Sequence, residues 1–326
     1  MKKLLYVFGS FAGIGLFLRV FTSAIEKKDA EPDWHNGQSY HVFACDIPKN
    51  LGFAGEKLPV ENFDVRERID RELLVNTFWQ SQTLLFYKRA NRWFPVIEPI
   101  LKQYGIPDDF KYLALIESGL INTVSPSGAV GYWQFLDNTA KNYGLEINED
   151  VDERYHIEKS TEAACKYFKE AKEELGNWTL AAGSYNMGIG GMKKQVEKQR
   201  VNSYYDLMLN DETSRYVFRI IAVKELILHP LAYGYHLRKK DLYPQVPSYV
   251  VTVDSTIKNI VDFAAKYNTS YKFIKLLNPW LRQNTLLNKT HKTYTVKIPK
   301  PGFNEMMLQE IMTGVDSTEA VKPIIR

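Results

Sequence analysis

The sequence predicts a mainly α protein, an all-helical domain followed by a small βααβ module. Three observations carry that prediction. Apolar residues recur at the three- and four-residue spacing of amphipathic helices from about 65 to 230. The periodicity breaks over 231–247, where Pro244 and Pro247 mark a linker. Beyond the break, strand-like alternation brackets two short helical stripes within about 50 residues. At 326 residues the chain exceeds one minimal domain, and 45% hydrophobic with 25% charged residues is the balance of a folded protein.

Taken in order, Lys2 and Lys3 precede an apolar run, 4–18, followed by Arg19 and then Thr22-Ser23-Ala24. This pattern predicts a secretory signal peptide over 1–24, cut after Ala24, with an uncleaved N-terminal anchor as the alternative. The run is shorter than the roughly 20 apolar residues of a spanning helix, which favours cleavage. Residues 25–94 are expected as an extension. Its first part is turn-rich, with Pro48, Gly52, Gly55 and Pro59 in an extended lead-in, and it is helical from about 65. There Val65, Ile69 and Leu73 repeat every four residues, and Phe94, Ile97 and Leu101 carry the stripe to a stop at Gly105.

The helical domain is placed over 95–230. Pro107-Asp108-Asp109 opens a helix, since proline suits the first turn and acids there complement the helix dipole. It carries Tyr112, Leu113, Leu115 and Ile116 and ends at Gly119. A loop spans 122–131. Over 160–175, Ala164, Phe168, Ala171 and Leu175 form one stripe, stopped by Gly176. A run over 178–185 ends at Gly188-Ile189-Gly190-Gly191, and a last helix over 214–228 precedes Pro230. After the 231–247 linker, the module is placed over 248–299, with strands near 249–253 and 293–298. Residues 300–326 are expected as a loose tail.

The formal charge of +4 falls to +1 without Lys2, Lys3 and Arg19. That excludes the clustered basic footprint of a nucleic-acid binder. Only Cys45 and Cys165 occur, and their spacing leaves pairing open; Cys165 lies in a helical pattern as a small core residue. No His pair has metal-ligand spacing, so neither metal nor organic cofactor is expected.

Chemistry is concentrated in four segments. In Ala114-Leu115-Ile116-Glu117-Ser118-Gly119, a carboxylate follows an apolar stretch at the last turn of a helix. Lost hydration there disfavours the ionised form, and a carboxyl still protonated near neutral pH is what glycoside cleavage requires. A helix cap or a lysine pair is the bland alternative. Gly128-Ala129-Val130-Gly131-Tyr132-Trp133-Gln134 sets glycines and the flat faces of Tyr132 and Trp133 beside an amide able to recognise an N-acetyl group. Ala181-Ala182-Gly183-Ser184-Tyr185-Asn186-Met187-Gly188 packs small residues and then presents Tyr185 and Asn186. Glu212-Thr213-Ser214-Arg215-Tyr216-Val217 opens the last helix, where a cap at Glu212 or Thr213 is the bland alternative.

In this order, the four segments resemble the family 23 glycoside hydrolases, the soluble-lytic-transglycosylase and goose-type-lysozyme superfamily. Within that superfamily the segments are similar to those of the membrane-bound lytic murein transglycosylase D type. The resemblance covers about 95–230 and implies a lysozyme-like catalytic domain with Glu117 as catalytic acid and base. It implies substrate contacts from Ser118, Ser125, Tyr132, Gln134, Tyr185, Asn186, Glu212 and Tyr216, with Ser125 near the reacting hydroxyl. Ser184 and Met187 stand where relatives usually have Ala. The C-terminal unit resembles a LysM module, with Asp254-Ser255-Thr256-Ile257 in place of the usual Gly-Asp-Thr-Leu. It is either a further contact to glycan or a structural lid on the catalytic domain.

The implied partner is the glycan strand of peptidoglycan, cut between N-acetylmuramic acid and N-acetylglucosamine with formation of a 1,6-anhydro sugar in the cell envelope. Membrane association would run through the N-terminus. Two rivals stand beside it: a hydrolytic lysozyme using a second acid, with Glu212 and Asp152 the candidates, and a non-catalytic wall-binding protein.

Overall fold

A computed structural model describes residues 42–313. The expected signal segment and the end of the tail lie outside the described residues. Among those described, eleven α-helices and two two-stranded sheets form the framework, and no helix is long and apolar enough to cross a membrane.

The lead-in is not an extended approach to the domain. Strands β1 (Gly52–Phe53) and β2 (Glu56–Lys57) pair as a hairpin in which Phe53 of β1 and Leu58, just after β2, are fully buried. Phe53 meets the Phe110 ring edge-on at 4.9 Å. The Glu56 carboxylate accepts from the backbone amides of Trp178 (2.6 Å) and Thr179 (2.9 Å), an anion placed on a helix N-terminus. Its glycines read as turns in the sequence; the burial of the residues between them depends on a helix more than a hundred positions away.

Helix α1 (Phe63–Phe78) buries Val65, Ile69 and Leu73, and the chain breaks at Trp79 before α2 (Gln80–Tyr104). Gly105, in the left-handed conformation at φ 70°, ends α2. Helix α3 (Lys111–Ser118) follows a single 3-10 turn and is the centre of the domain, because its side chains from Tyr112 to Ile116 are all buried. Around it stand the short α4 (Asp137–Asn142), then α5 (Ile157–Leu175), α6 (Trp178–Met187), α7 (Ile189–Gln199) and α8 (Asp211–Leu228). Helix α8 packs against both α1 and α3, so the N-terminal helices belong to the same core as the helices carrying Glu117 and Tyr216.

The 231–247 segment, expected as a linker, is strapped to the domain. Tyr235, Leu237 and Leu242 are buried. Asn91 donates to the Tyr243 carbonyl (3.0 Å) and Arg92 to that of Pro244 (2.9 Å), binding the strap along α2. Its prolines interrupt helical periodicity without loosening the chain.

The C-terminal module is β3 (Ser248–Val253), α9 (Ile260–Lys266), α10 (Tyr271–Leu277) and β4 (Tyr294–Pro299). The strands are antiparallel in a register running from Ser248 opposite Pro299 to Val253 opposite Tyr294. Ile260, Ile274, Val296 and Ile298 fill its core. Asn278, wholly buried, replaces missing backbone partners: it donates to Ile274 and Lys297 carbonyls and accepts from the Lys297 amide. The tail is not loose throughout, since α11 (Phe303–Thr313) continues beyond the module with no buried residue.

Candidate active site

Glu117 sits on the last turn of α3. The turn is fixed from both directions. Gly119 caps it at φ 61°, its carbonyl accepts from Arg89 (3.1 Å), and the Ser118 hydroxyl donates to the Tyr132 carbonyl (2.7 Å) while accepting from the Leu120 amide (3.1 Å). Ser118 is therefore spent on tying the helix end to the following loop.

The Glu117 carboxylate accepts a very short hydrogen bond from the Tyr216 hydroxyl of α8. Burial is the largest influence on its acidity and pushes it up to about 7. The Tyr216 hydrogen bond and the Arg219 charge pull the other way, and the neighbouring Glu212 charge adds to the rise. Its place at a helix C-terminus, where carbonyl dipoles converge, disfavours a negative charge further. Tyr185 and Tyr216 are both pushed well above the ordinary phenol range, first by burial and then by the charge of Glu117, so both remain hydroxyl donors.

Helix α6 reaches the site because its small residues allow a close crossing. A Cβ on Gly183 would lie 2.7 Å from the Tyr204 ring. Beyond that contact, Tyr185 donates to the Trp133 carbonyl (2.8 Å). The Asn186 amide donates to Glu212 (2.9 Å), and its oxygen accepts from the Thr213 hydroxyl (2.7 Å). Neither Glu212 nor Thr213 is the cap of α8; Asn210 takes that role, accepting from the Thr213 amide (2.8 Å). The structure thus gathers Glu117, Tyr185, Asn186, Glu212 and Tyr216 around α6 and α8.

The 122–135 loop differs from its sequence expectation. Trp133 is fully buried, its indole donating to Thr161 (2.8 Å), and Tyr132 is 5% exposed with its ring edge-on to Trp93. As flat faces for a sugar, both are corrected: hydrophobic burial claims the rings, and the carbonyls of this stretch serve the site instead. Gln134 stands at φ 51°, and its amide donates to the carbonyls of Gly131 (2.8 Å) and Thr123 (3.1 Å), so its hydrogens close the loop. Ser125 is at the loop tip, engaged with Ser127 (2.9 Å) and the Ala129 amide (3.0 Å). Gly131 has no substitute, because a Cβ there would lie 2.0 Å from the Arg154 carbonyl.

Of the two candidate second acids, Asp152 is buried in a bidentate pair with Arg154 (2.9 and 2.7 Å). Glu212 is exposed and held by Asn186. Sequence reasoning passed over Arg219, whose signal was its place one turn beyond Tyr216 on the same helix face. It also passed over Arg154, which carries no local signal at all. Among the described residues, no cluster of His, Cys, Asp or Glu has a metal-binding arrangement. Cys165 is a buried thiol pushed up to about 12, chiefly by burial, and Cys45 is close to Thr77.

Residues 95–208 match the transglycosylase SLT domain family, and residues 249–302 match the soluble lytic transglycosylase C-terminal LysM-like domain family. The membrane-bound lytic murein transglycosylase D of Escherichia coli (strain K12) is 27% identical over 198 residues, covering 58% of this chain and 43% of that protein. The protein of the same name from Escherichia coli O6:H1 (strain CFT073) is similar to the same extent. The match thus spans less than half the length of these curated relatives.

Proposed function

We propose that this chain, which carries a transglycosylase SLT domain followed by a LysM-like domain, is a peptidoglycan lytic transglycosylase with Glu117 as its acid and base. The observation that carries the proposal is a carboxyl raised to about 7 and bonded by Tyr216. Near neutral pH such a group is protonated about as often as not, which suits a residue that must give a proton and then take one.

In the first step, Glu117 protonates the oxygen joining N-acetylmuramic acid to N-acetylglucosamine, and the bond from that oxygen to C1 breaks. The N-acetyl carbonyl steadies the positive charge left at C1. Glu117, now a carboxylate, removes the proton of the same sugar's C6 hydroxyl, and that oxygen bonds to C1. The acid is restored, the product is a 1,6-anhydro end, and no water is consumed. Attack by an internal hydroxyl avoids the entropy of recruiting a second molecule, worth up to roughly 7–11 kcal/mol in favourable cases. Tyr216 steadies the carboxylate between the two steps, while Asn186, Glu212 and Tyr185 supply the polar wall beside it. Ser125 and Gln134 border the reacting sugar through their loop. Glu212 would carry the hydrolytic alternative as a second acid.

The proposal puts the enzyme in the cell envelope, exported by residues 1–24 with membrane attachment if that segment is retained, in wall remodelling or turnover. The relatives' printed name, a membrane-bound murein transglycosylase, supports that location. The LysM-like domain offers a further glycan contact.

The test is mass spectrometry of purified peptidoglycan digested by the protein and by its Glu117→Gln form. Anhydro-muropeptides from the parent alone are expected. Reducing ends would replace the proposal with a lysozyme, and binding without release in both forms would replace it with a wall-binding protein.

A further inference from the structure

The stretch 130–135 is the hub of the site. Its Tyr132 carbonyl receives the Ser118 hydroxyl beside Glu117, and its Trp133 carbonyl receives Tyr185. Behind this hub lies the segment 146–158. Gly131 presses on the Arg154 carbonyl, the Arg154 guanidinium reaches the Phe135 carbonyl (3.4 Å), and Asp152 fixes Arg154 in place.

That segment is in turn joined to the C-terminal module. Val151 bridges Leu281 in strand fashion, the Asp152 amide donates to the Trp280 carbonyl (2.9 Å), and the Arg282 amide donates to that of Asp150 (2.7 Å). The Asp150 carboxylate accepts from the Leu287 amide (3.1 Å). Lys292 pairs with Glu146 and Lys297 with Glu158, and the Arg282 guanidinium lies 3.9 Å over the Tyr155 ring. Val130, Val151 and Tyr155 are buried with Ile257, Leu281 and Val296, so a residue of the hub itself belongs to the module's core. A tethered wall-binding module would have no use for such a seam.

We propose that the βααβ module is a positioning part of the active site, holding the hub through the 146–158 segment, an inference that rests on the lytic-transglycosylase function above. Lys297 is a positioning residue, acting on Glu117 only through Glu158 and the loop behind the hub. A degree of freedom in the hub would shift the Ser118 and Tyr185 anchors and with them the geometry around Glu117, and small displacements of a reacting group are costly.

The experiment uses the full chain with purified glycan strands and follows release of products. Lys297→Glu sets a carboxylate against Glu158; kcat is expected to fall about tenfold while KM stays within about twofold. Adding Glu158→Gln removes the repulsion and is expected to return kcat to within about threefold of the parent. A raised KM with kcat unchanged, or no recovery in the double variant, would overturn the inference in favour of a glycan-binding role for Lys297. Should Lys297→Glu lose its cooperative melt, Lys297→Met is measured instead, and an unchanged kcat there overturns the inference equally. If the parent releases reducing ends, the proposed product is wrong while the kcat comparison still decides the module's role; if it releases nothing, both fail.

Discussion

Glu72 and Glu117 both lean on α8, the first against Arg215 and the second against Tyr216. Glu72 is 1% exposed and held by two guanidinium groups, Arg215 at 2.7 Å and Arg71 at 2.6 Å. Glu117 is offered a phenol by the very next residue, with Arg219 acting only at a distance. Successive helix positions point about 100° apart, so one helix turns a cation toward the first acid and a neutral donor toward the second. A buried carboxylate with a full ionic partner is a structural brace, whereas one with a hydroxyl partner holds a proton that can be exchanged. The contrast lies in the partner more than in the depth of burial.

Breaking each side of this comparison should have different consequences. The largest expected effect is on chemistry: Glu117→Gln should lower product release by roughly 1,000-fold, the usual reach of a general acid–base, with the fold unchanged by circular dichroism. Glu72→Ala should instead cost stability, about 2–4 kcal/mol by denaturant midpoint, because it strips the partner from Arg215 across the α1–α8 contact.

Stability against pH sharpens the contrast. The folded chain keeps Glu117 protonated up to about 7, while the unfolded chain ionises it near the ordinary value. Between those two values the folded state binds more protons, so this group's contribution is full below about pH 4.5 and is lost as pH rises toward 7. Glu117→Gln should therefore match the parent at pH 4 and exceed it at pH 8, by on the order of 1–3 kcal/mol in calorimetric melts. The smallest effect is expected from Tyr216→Phe. Losing a hydrogen bond that favours the carboxylate should move the alkaline limb of the rate profile to higher pH and cut kcat by about three- to tenfold. An unmoved limb would mean that Tyr216 does not touch the titrating acid.

Much of the helical domain was legible in the sequence. Val65, Ile69 and Leu73 stand on the buried stripe of α1, and Gly105, Gly119 and Gly176 end their helices in left-handed caps. The segments carrying Glu117, Asn186 and Tyr216 stood out only through the resemblance of their order and spacing to a family's motifs, since each taken singly also reads as an ordinary helix end, crossing or cap. The rings of Tyr132 and Trp133 could not be assigned: an aromatic beside a glycine looks the same whether it faces a ligand or a core. The buried hairpin at 51–58 and the 231–247 strap were equally hidden, since turn residues report where a chain bends and not what it bends around.

What the sequence determined alone was local: the helices, their stops, and a glutamate set after four apolar residues at a helix end. The tertiary structure decided the partners. The Tyr216 hydroxyl arrives from 99 residues away, Glu56 accepts from a helix's first amide 122 residues later, and Lys297 of the module reaches Glu158 across 139. Backbone periodicity is set by hydrogen bonds that close within four residues, so a short window encodes it. A bond across a hundred residues exists only where packing has already brought two surfaces together, and no short window contains both.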